Sequence, residues 1–274
     1  MWFERWRSGR RSPVAPQRVE ASMLQIPIEL TDGSTATRLT SVRRWQELVR
    51  KAPSPPEDRP IFVEDLVGEK HHRWYGQAWL MGRFRFDFLI ANGLTPRDRL
   101  LDLGCGAGRM GIWLIPYLEP GHYFGVDGHL RSLVAFSAYE ISLHGLAARR
   151  PRLLLDADFH VDHFGERFDI VIDVSVTRFL AREKFSRAYA RLRSVLAPGG
   201  RIFVAGLTPD RLERLRREGF ELLLEGSPER PLHFVRRRPS SQNGWHMLRL
   251  AGEARSEAKP SEVEEPVASF TSVK

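Results

Sequence analysis

The chain has 274 residues and is 42% hydrophobic, enough to bury a substantial core, and no apolar run is long enough to span a bilayer. Its formal net charge of +8 comes from 37 Arg and 5 Lys against 34 acids. No nucleic-acid-binding motif accompanies that charge, and the Arg excess is read as genomic base composition rather than a phosphate-binding surface. The single cysteine, Cys105, excludes an intrachain disulfide framework and a multi-cysteine zinc site, so a cytoplasmic setting and no metal are expected.

Residues 1–17 carry Trp2, Phe3 and Trp6 among Arg5, Arg7, Arg10 and Arg11, without the apolar stretch of a secretory signal. Such a segment could touch an anionic membrane surface, but a flexible basic tail is the plainer reading. Residues 40–51 have the spacing of an amphipathic helix, with Val42, Trp45, Leu48 and Val49 on one face. Pro53, Pro55, Pro56 and Pro60 then suggest a linker. Residues 1–60 are thus expected to be a flexible extension, 61–251 a folded domain, and the Glu/Ser/Pro-rich stretch 252–274 a disordered tail.

A helix is expected within 71–93, its stripe formed by Leu80, Phe84, Phe88 and Ala91 and ended by Asn92-Gly93. Adjacent His71 and His72 make a poor metal pair, and Trp74 and Tyr75 before the helix are read as packing residues. Strands and helices then alternate. Strands are expected at 99–103, 123–126, 152–155, 168–174 and 202–205, and helices at 107–118, 130–144 and about 185–196. A short Arg-rich helix at 211–218 and strands at 220–224 and 246–250 follow, with Arg236-Arg237-Arg238 in a solvent-facing loop. This order implies an α/β fold with a mostly parallel sheet covered on both faces.

Within it, Leu100–Gly111 reads LLDLGCGAGRMG, a strand, a glycine loop and a helix start. Gly104, Gly106 and Gly108 leave backbone N–H groups bare for a nucleotide-like ligand beyond the strand end. Asp102 precedes the loop. Asp127, 19 residues beyond Gly108, ends the second strand, where a carboxylate can accept both ribose hydroxyls. Asp158 follows the third strand with Phe159, a pair that could take an adenine amine and base face. Each acid has a plainer use, as a helix cap or a turn residue. Together at matching strand ends they favour an adenosyl ligand. A dinucleotide fingerprint would need a glycine at Arg109, and no P-loop or Tyr-x-x-x-Lys pair is present.

LLDLGCGAGRMG, GVD, DADF, FDIVIDVSVTRFL and LAPGGRIFVAG, in this order, resemble the motifs of class I S-adenosylmethionine-dependent methyltransferases over about residues 72–225. The chain is similar in detail to small bacterial members of undefined substrate, a match that sets Asp158-Phe159, not Asp156, at the adenine. The resemblance implies a Rossmann-like, seven-stranded sheet with an antiparallel last strand. It also implies S-adenosyl-L-methionine as cofactor. Gly104, Cys105, Gly106 and Gly108 would line its methionine end, with Asp102 near the ammonium. Asp127 would hold the ribose, Asp158 and Phe159 the adenine, and Asp173 would face the reacting centre.

Two departures bear on the acceptor. Where many relatives carry a Thr-His or Ser-His pair, this chain has Thr177-Arg178. The Asn/Asp-Pro-Pro-Tyr motif of amino-group methylases is absent, since Asp173 is followed by Val174-Ser175. Methyl transfer to a small-molecule or glycan-type acceptor, at oxygen rather than a nucleic-acid base, is the expected activity. Asp173, His160 and His163 are the candidate bases, and the histidines are read first as surface loop residues. A non-catalytic S-adenosylmethionine-binding or partner protein, and an NAD-type oxidoreductase, are the alternatives.

Overall fold

The computed structural model describes residues 16–42, 58–67, 78–174, 176–226 and 245–252. The segment Met1–Ala15, the greater part of the expected helix at 40–51, Trp74, Tyr75, the Arg236–Arg238 run and the tail beyond Gly252 lie outside the described residues.

Ten strands are described: β1 (Ile28–Leu30), β2 (Thr40–Val42), β3 (Asp58–Pro60), β4 (Leu100–Leu103), β5 (Tyr123–Asp127), β6 (Arg152–Leu155), β7 (Phe168–Val174), β8 (Leu196–Ala205), β9 (Phe220–Gly226) and β10 (Trp245–Leu250). The helices are α1 (Val63–Val67), α2 (Ala78–Ala91), α3 (Gly111–Tyr117), α4 (Leu130–Val134), α5 (Ile141–Leu143), α6 (Arg182–Val195) and α7 (Pro209–Arg217). A π-helical turn, Ala135–Glu140, joins α4 to α5. Eight strands form the main sheet in the order β1-β6-β5-β4-β7-β8-β10-β9, and β2 and β3 pair separately. Pairing is parallel from β1 to β8, while β10 runs antiparallel to both β8 and β9. From β4 the chain winds outward through β5 and β6, then returns to β4's other side as β7. The crevice between the carboxyl ends of β4 and β7 is therefore the switch point, where such sheets bind ligands.

The strands alternate between two cores. Leu100, Tyr123, Leu153, Ile170 and Phe203 face one cluster, which α2 to α5 cover. Leu101, Phe124, Leu154, Val171 and Ile202 face the other, which α6 and α7 cover with Phe185, Tyr189, Leu192 and Leu215. This two-sided burial is why the strands read as apolar runs rather than as alternating patterns.

The structure corrects five expectations. The main sheet has eight strands, not seven, because β1 adds a parallel edge to β6. Residues 16–42 are accordingly part of the fold rather than a flexible extension. Val19, Ile26, Ile28, Ala36 and Leu39 are buried, and Ser137 on the π turn exchanges hydrogen bonds with Ile26 N (3.1 Å) and O (2.7 Å). Thr40–Val42 is a strand, not the start of a helix. On α2 it is Leu89 that is fully buried and Ala91 that is exposed; the apolar residues of this helix are spread around the axis, so periodicity does not select its inner face. The helix after the glycine loop begins at Gly111, four residues later than expected, because the loop's positive φ angles cannot enter a helix.

Among the described residues no helix is long and apolar enough to cross a membrane. Ile28 has no exposed surface in β1. Ile28→Ala is expected to destabilise the protein by about 2–5 kcal/mol, the range for truncating a buried aliphatic side chain. Urea unfolding checks this, and an unchanged midpoint would show that β1 is dispensable.

Candidate functional site

The glycine loop begins as an extension of β4. Gly104 N and Cys105 N both donate to Val126 O, at 2.7 and 3.2 Å, which carries the β4–β5 pairing past the strand end. Gly104, Gly106 and Gly108 have φ of +69°, +57° and +81°, where side chains are disfavoured. Packing adds a second constraint. A Cβ at Gly104 would overlap Val176, and one at Gly108 would overlap the Phe136 ring. Cys105 points inward, its thiol buried and its pKa pushed up by burial.

Asp127 is tied directly to this loop. Its carboxylate accepts from Gly106 N at 2.9 Å and from His129 N at 2.8 Å, so it braces the loop and begins α4 at once. An ionised carboxylate has about four acceptor positions, so this bracing is compatible with holding a diol.

Asp102 is buried on the face of β4 that carries Leu100. Tyr123 Oη donates to it at 2.8 Å. Burial raises its pKa from 3.8 to about 7, against the lowering effect of the tyrosine.

At the end of β6 the structure differs from the sequence expectation. Asp156 N donates to Asp127 O at 3.0 Å, so Asp156 stands directly beside the second strand's end. A Cβ at Gly128 would lie 2.8 Å from Ala157 Cβ, so the two post-strand loops touch there. Asp158 and Phe159 are turned away from this junction. Asp158 is 58% exposed, pairs with Lys184 Nζ on α6 at 2.9 Å, and has its pKa held down by that bond. Phe159 adopts φ of +60° and is buried in the core beneath α6. The left-handed turn drives its ring inward, and in this arrangement the two residues tie the loop to α6.

Asp173 also departs from expectation. It pairs in register with Leu103 and lies on that residue's face of the sheet, the α6 side. It is fully buried, and its carboxylate accepts from Val176 N and Thr177 N at 3.1 Å each, from Thr177 Oγ1, and from Tyr189 Oη at 3.2 Å. Burial raises its pKa. Its geometry is that of an anchor for residues 176–180 rather than of a group facing a reacting centre.

Neither candidate histidine is placed as a base. His160 Nε2 accepts from Arg191 at 2.8 Å, which leaves the proton on Nδ1 to donate to Asp156 at 3.0 Å. His163 bonds Glu29 at 3.0 Å, and the Arg152 guanidinium also clasps Glu29, which ties β1 to β6. Sequence reasoning named Asp102, Asp127 and the glycines, which the fold brings together. It set Asp156, the first residue of DADF, behind Asp158, and gave Val176, inside FDIVIDVSVTRFL, no role of its own.

The neutral acid is the favoured form of Asp102 in the folded protein, so folding takes up a proton between pH 3.8 and about 7. The stability this contributes is complete below the lower value and is lost as pH rises through the upper one. In thermal melts without ligand, the melting temperature of the wild type should fall from about pH 4 to about pH 7, where the unfolded carboxylate is ionised and the folded one still holds its proton, and this fall should level off above pH 7. Asp102→Asn should flatten that fall, at about 1.4 kcal/mol per unit of pKa shift.

Residues 101–202 match the family described as Methyltransferase domain. A solved S-adenosylmethionine-dependent methyltransferase from Clostridium acetobutylicum superposes with a TM-score of 0.50 at 13% identity, over 67% of this chain and 96% of that one. Magnesium protoporphyrin IX methyltransferase from Synechocystis PCC 6803 gives 0.48 at 17% identity, over 67% and 86%. The CcbJ methyltransferase from Streptomyces caelestis gives 0.49 at 17%, over 62% and 89%. The match identifies residues 101–202 as a methyltransferase domain within this α/β sheet, and the Clostridium acetobutylicum enzyme shares its fold.

Proposed function

We propose that the chain transfers a methyl group from S-adenosylmethionine to a hydroxyl of a small-molecule or glycan-type acceptor, with the cofactor held at the β4–β5–β6 strand ends. The observation that carries the cofactor site is the bond from Gly106 N to the Asp127 carboxylate, which joins a bare-backbone loop to an acid at the second strand's end. The residues fit the group. Gly104, Gly106 and Gly108 would pass the methionine end, and Asp127 would take the ribose hydroxyls. The Asp156–Ala157 edge, which touches Gly128, would border the adenine. Asp102 stands below the loop with a pKa near neutrality, so an ammonium brought close to it would draw it into the ionised form.

Bound S-adenosylmethionine supplies an electrophilic methyl on a good leaving group. The protein's part is then mostly to align the acceptor with it. Asp173, His160 and His163 are engaged in holding loops and strands, which favours positioning over proton transfer by these three. The sequence Asp173-Val174-Ser175-Val176 at the end of β7 supports an acceptor other than a base amine. We further propose that the methyltransferase unit includes residues 16–42 and that it works in the cytoplasm, a setting compatible with its one buried free thiol.

Asp127→Ala is expected to weaken S-adenosylhomocysteine binding roughly 10- to 150-fold, the loss of a charge-assisted hydrogen bond of about 1.5–3 kcal/mol. Isothermal titration calorimetry reads this directly, and an unchanged dissociation constant rejects the ribose assignment. Release of S-adenosylhomocysteine in the presence of hydroxylated small molecules, set beside RNA and protein acceptors, tests the acceptor class. Turnover confined to RNA or protein would contradict it.

A further inference from the structure

The segment after β7 contains one turn of 3-10 helix, Thr177–Phe179, which presents Phe179 to solvent with 71% of its surface exposed. A single helical turn is unstable alone, because its few internal bonds do not offset the cost of ordering it. Within this turn, Phe179 N donates to Val176 O at 3.1 Å and Leu180 N to Thr177 O at 3.0 Å. Two oppositely charged side chains also support it. At its start the Asp173 carboxylate accepts from Val176 N and Thr177 N. At its end, the Arg211 guanidinium donates from one nitrogen to Thr177 O and from another to Leu180 O, at 2.7 Å for the latter. An anion on the leading N–H groups and a cation on the trailing carbonyls is the arrangement that the dipole of a helical turn favours.

Arg211 lies in the first turn of α7, on a different element from the segment it holds. Its guanidinium also stacks on the Phe185 ring at 4.7 Å, which fixes its plane. The turn it secures begins at Val176, the residue packed so tightly on Gly104 that a Cβ there would overlap it. Arg211 is thus connected to the glycine loop through one short run of backbone.

We propose that Arg211 is a positioning residue for methyl transfer: by bridging the carbonyls of Thr177 and Leu180 it holds Val176 against Gly104 and so keeps the glycine loop in its cofactor-holding shape. This rests on the reading of the loop as the S-adenosylmethionine site. The demand is for a planar fork that reaches two carbonyls at once, which a lysine ammonium does not supply. The place is also accessible. Arg211 borders a cleft of about 640 Å³ shared with Arg182, Phe185, Thr208 and Arg214, so a small guanidinium could enter where the side chain is removed.

The test uses the full chain with S-adenosylhomocysteine as probe and compares wild type, Arg211→Ala and Arg211→Lys. Hydrogen exchange at the Phe179 and Leu180 amides should accelerate about tenfold or more in Arg211→Ala, and S-adenosylhomocysteine should bind about tenfold more weakly, the scale of a lost charge-assisted hydrogen bond. Methylguanidinium should restore both in Arg211→Ala. Arg211→Lys, which keeps the charge and guards against a general failure to fold, should recover neither fully. Wild-type affinity and exchange in both variants would overturn the proposal. So would a loss that methylguanidinium leaves unrepaired while the melting temperature drops in step, since that is the mark of a merely structural residue. If the wild type itself bound no S-adenosylhomocysteine, the reading of the cofactor site would fall, whereas the exchange rates would still decide whether Arg211 holds the turn.

Discussion

The carboxylate of Asp127 is the point through which the site is assembled. It accepts one backbone N–H from the glycine loop and one from the residue that precedes α4. The loop after β4 and the helix after β5 are therefore set relative to each other by a single side chain. Because the loop's first two amides already bond Val126, the β5 end supports it at three consecutive residues, Gly104, Cys105 and Gly106. A loop of glycines has high conformational entropy to lose. These bonds, with Val176 and Phe136 packed against it, are what make it a defined surface.

The two-faced sheet gives its buried acids different work. Asp102 and Asp173 each stand one residue before the end of neighbouring strands but point to opposite faces, one toward Tyr123, the other toward Tyr189. Burial raises the pKa of both. Asp173 is compensated by two backbone amides and two hydroxyls, so its place is that of a fixed anchor. The bond recorded for Asp102 comes from one tyrosine hydroxyl, and its pKa near 7 leaves it responsive to a charge arriving beside the loop. Strand alternation alone separates these roles, since a shift of one residue in either strand would exchange the faces.

The seven strands expected from hydrophobic runs are present, and the last is antiparallel, because buried central strands announce themselves by composition. β1 was not legible. It has three residues, and its partner strand is more than a hundred residues distant in the chain. Helix α2 was legible as a helix but not in its orientation, since its apolar residues are spread around the axis and carry little phase. That Asp127 and the glycines come together beside Asp102 was legible, because each lies at or near a strand end that the pattern itself locates. Where Asp158 and Phe159 point was not, because it depends on a left-handed backbone at Phe159, a conformation that nothing in the DADF motif marks.

The sequence by itself determined the layered α/β sheet, the glycine loop and the acid that faces it, since these follow from local composition and from spacing along a regular alternation. Which side of the sheet Asp173 faces, where Phe159 is buried, that residues 16–42 close an edge, and that Arg211 caps the turn beside Gly104 were decided by tertiary structure alone. Each of those depends on contacts between segments far apart in the chain, whose energies no local pattern records.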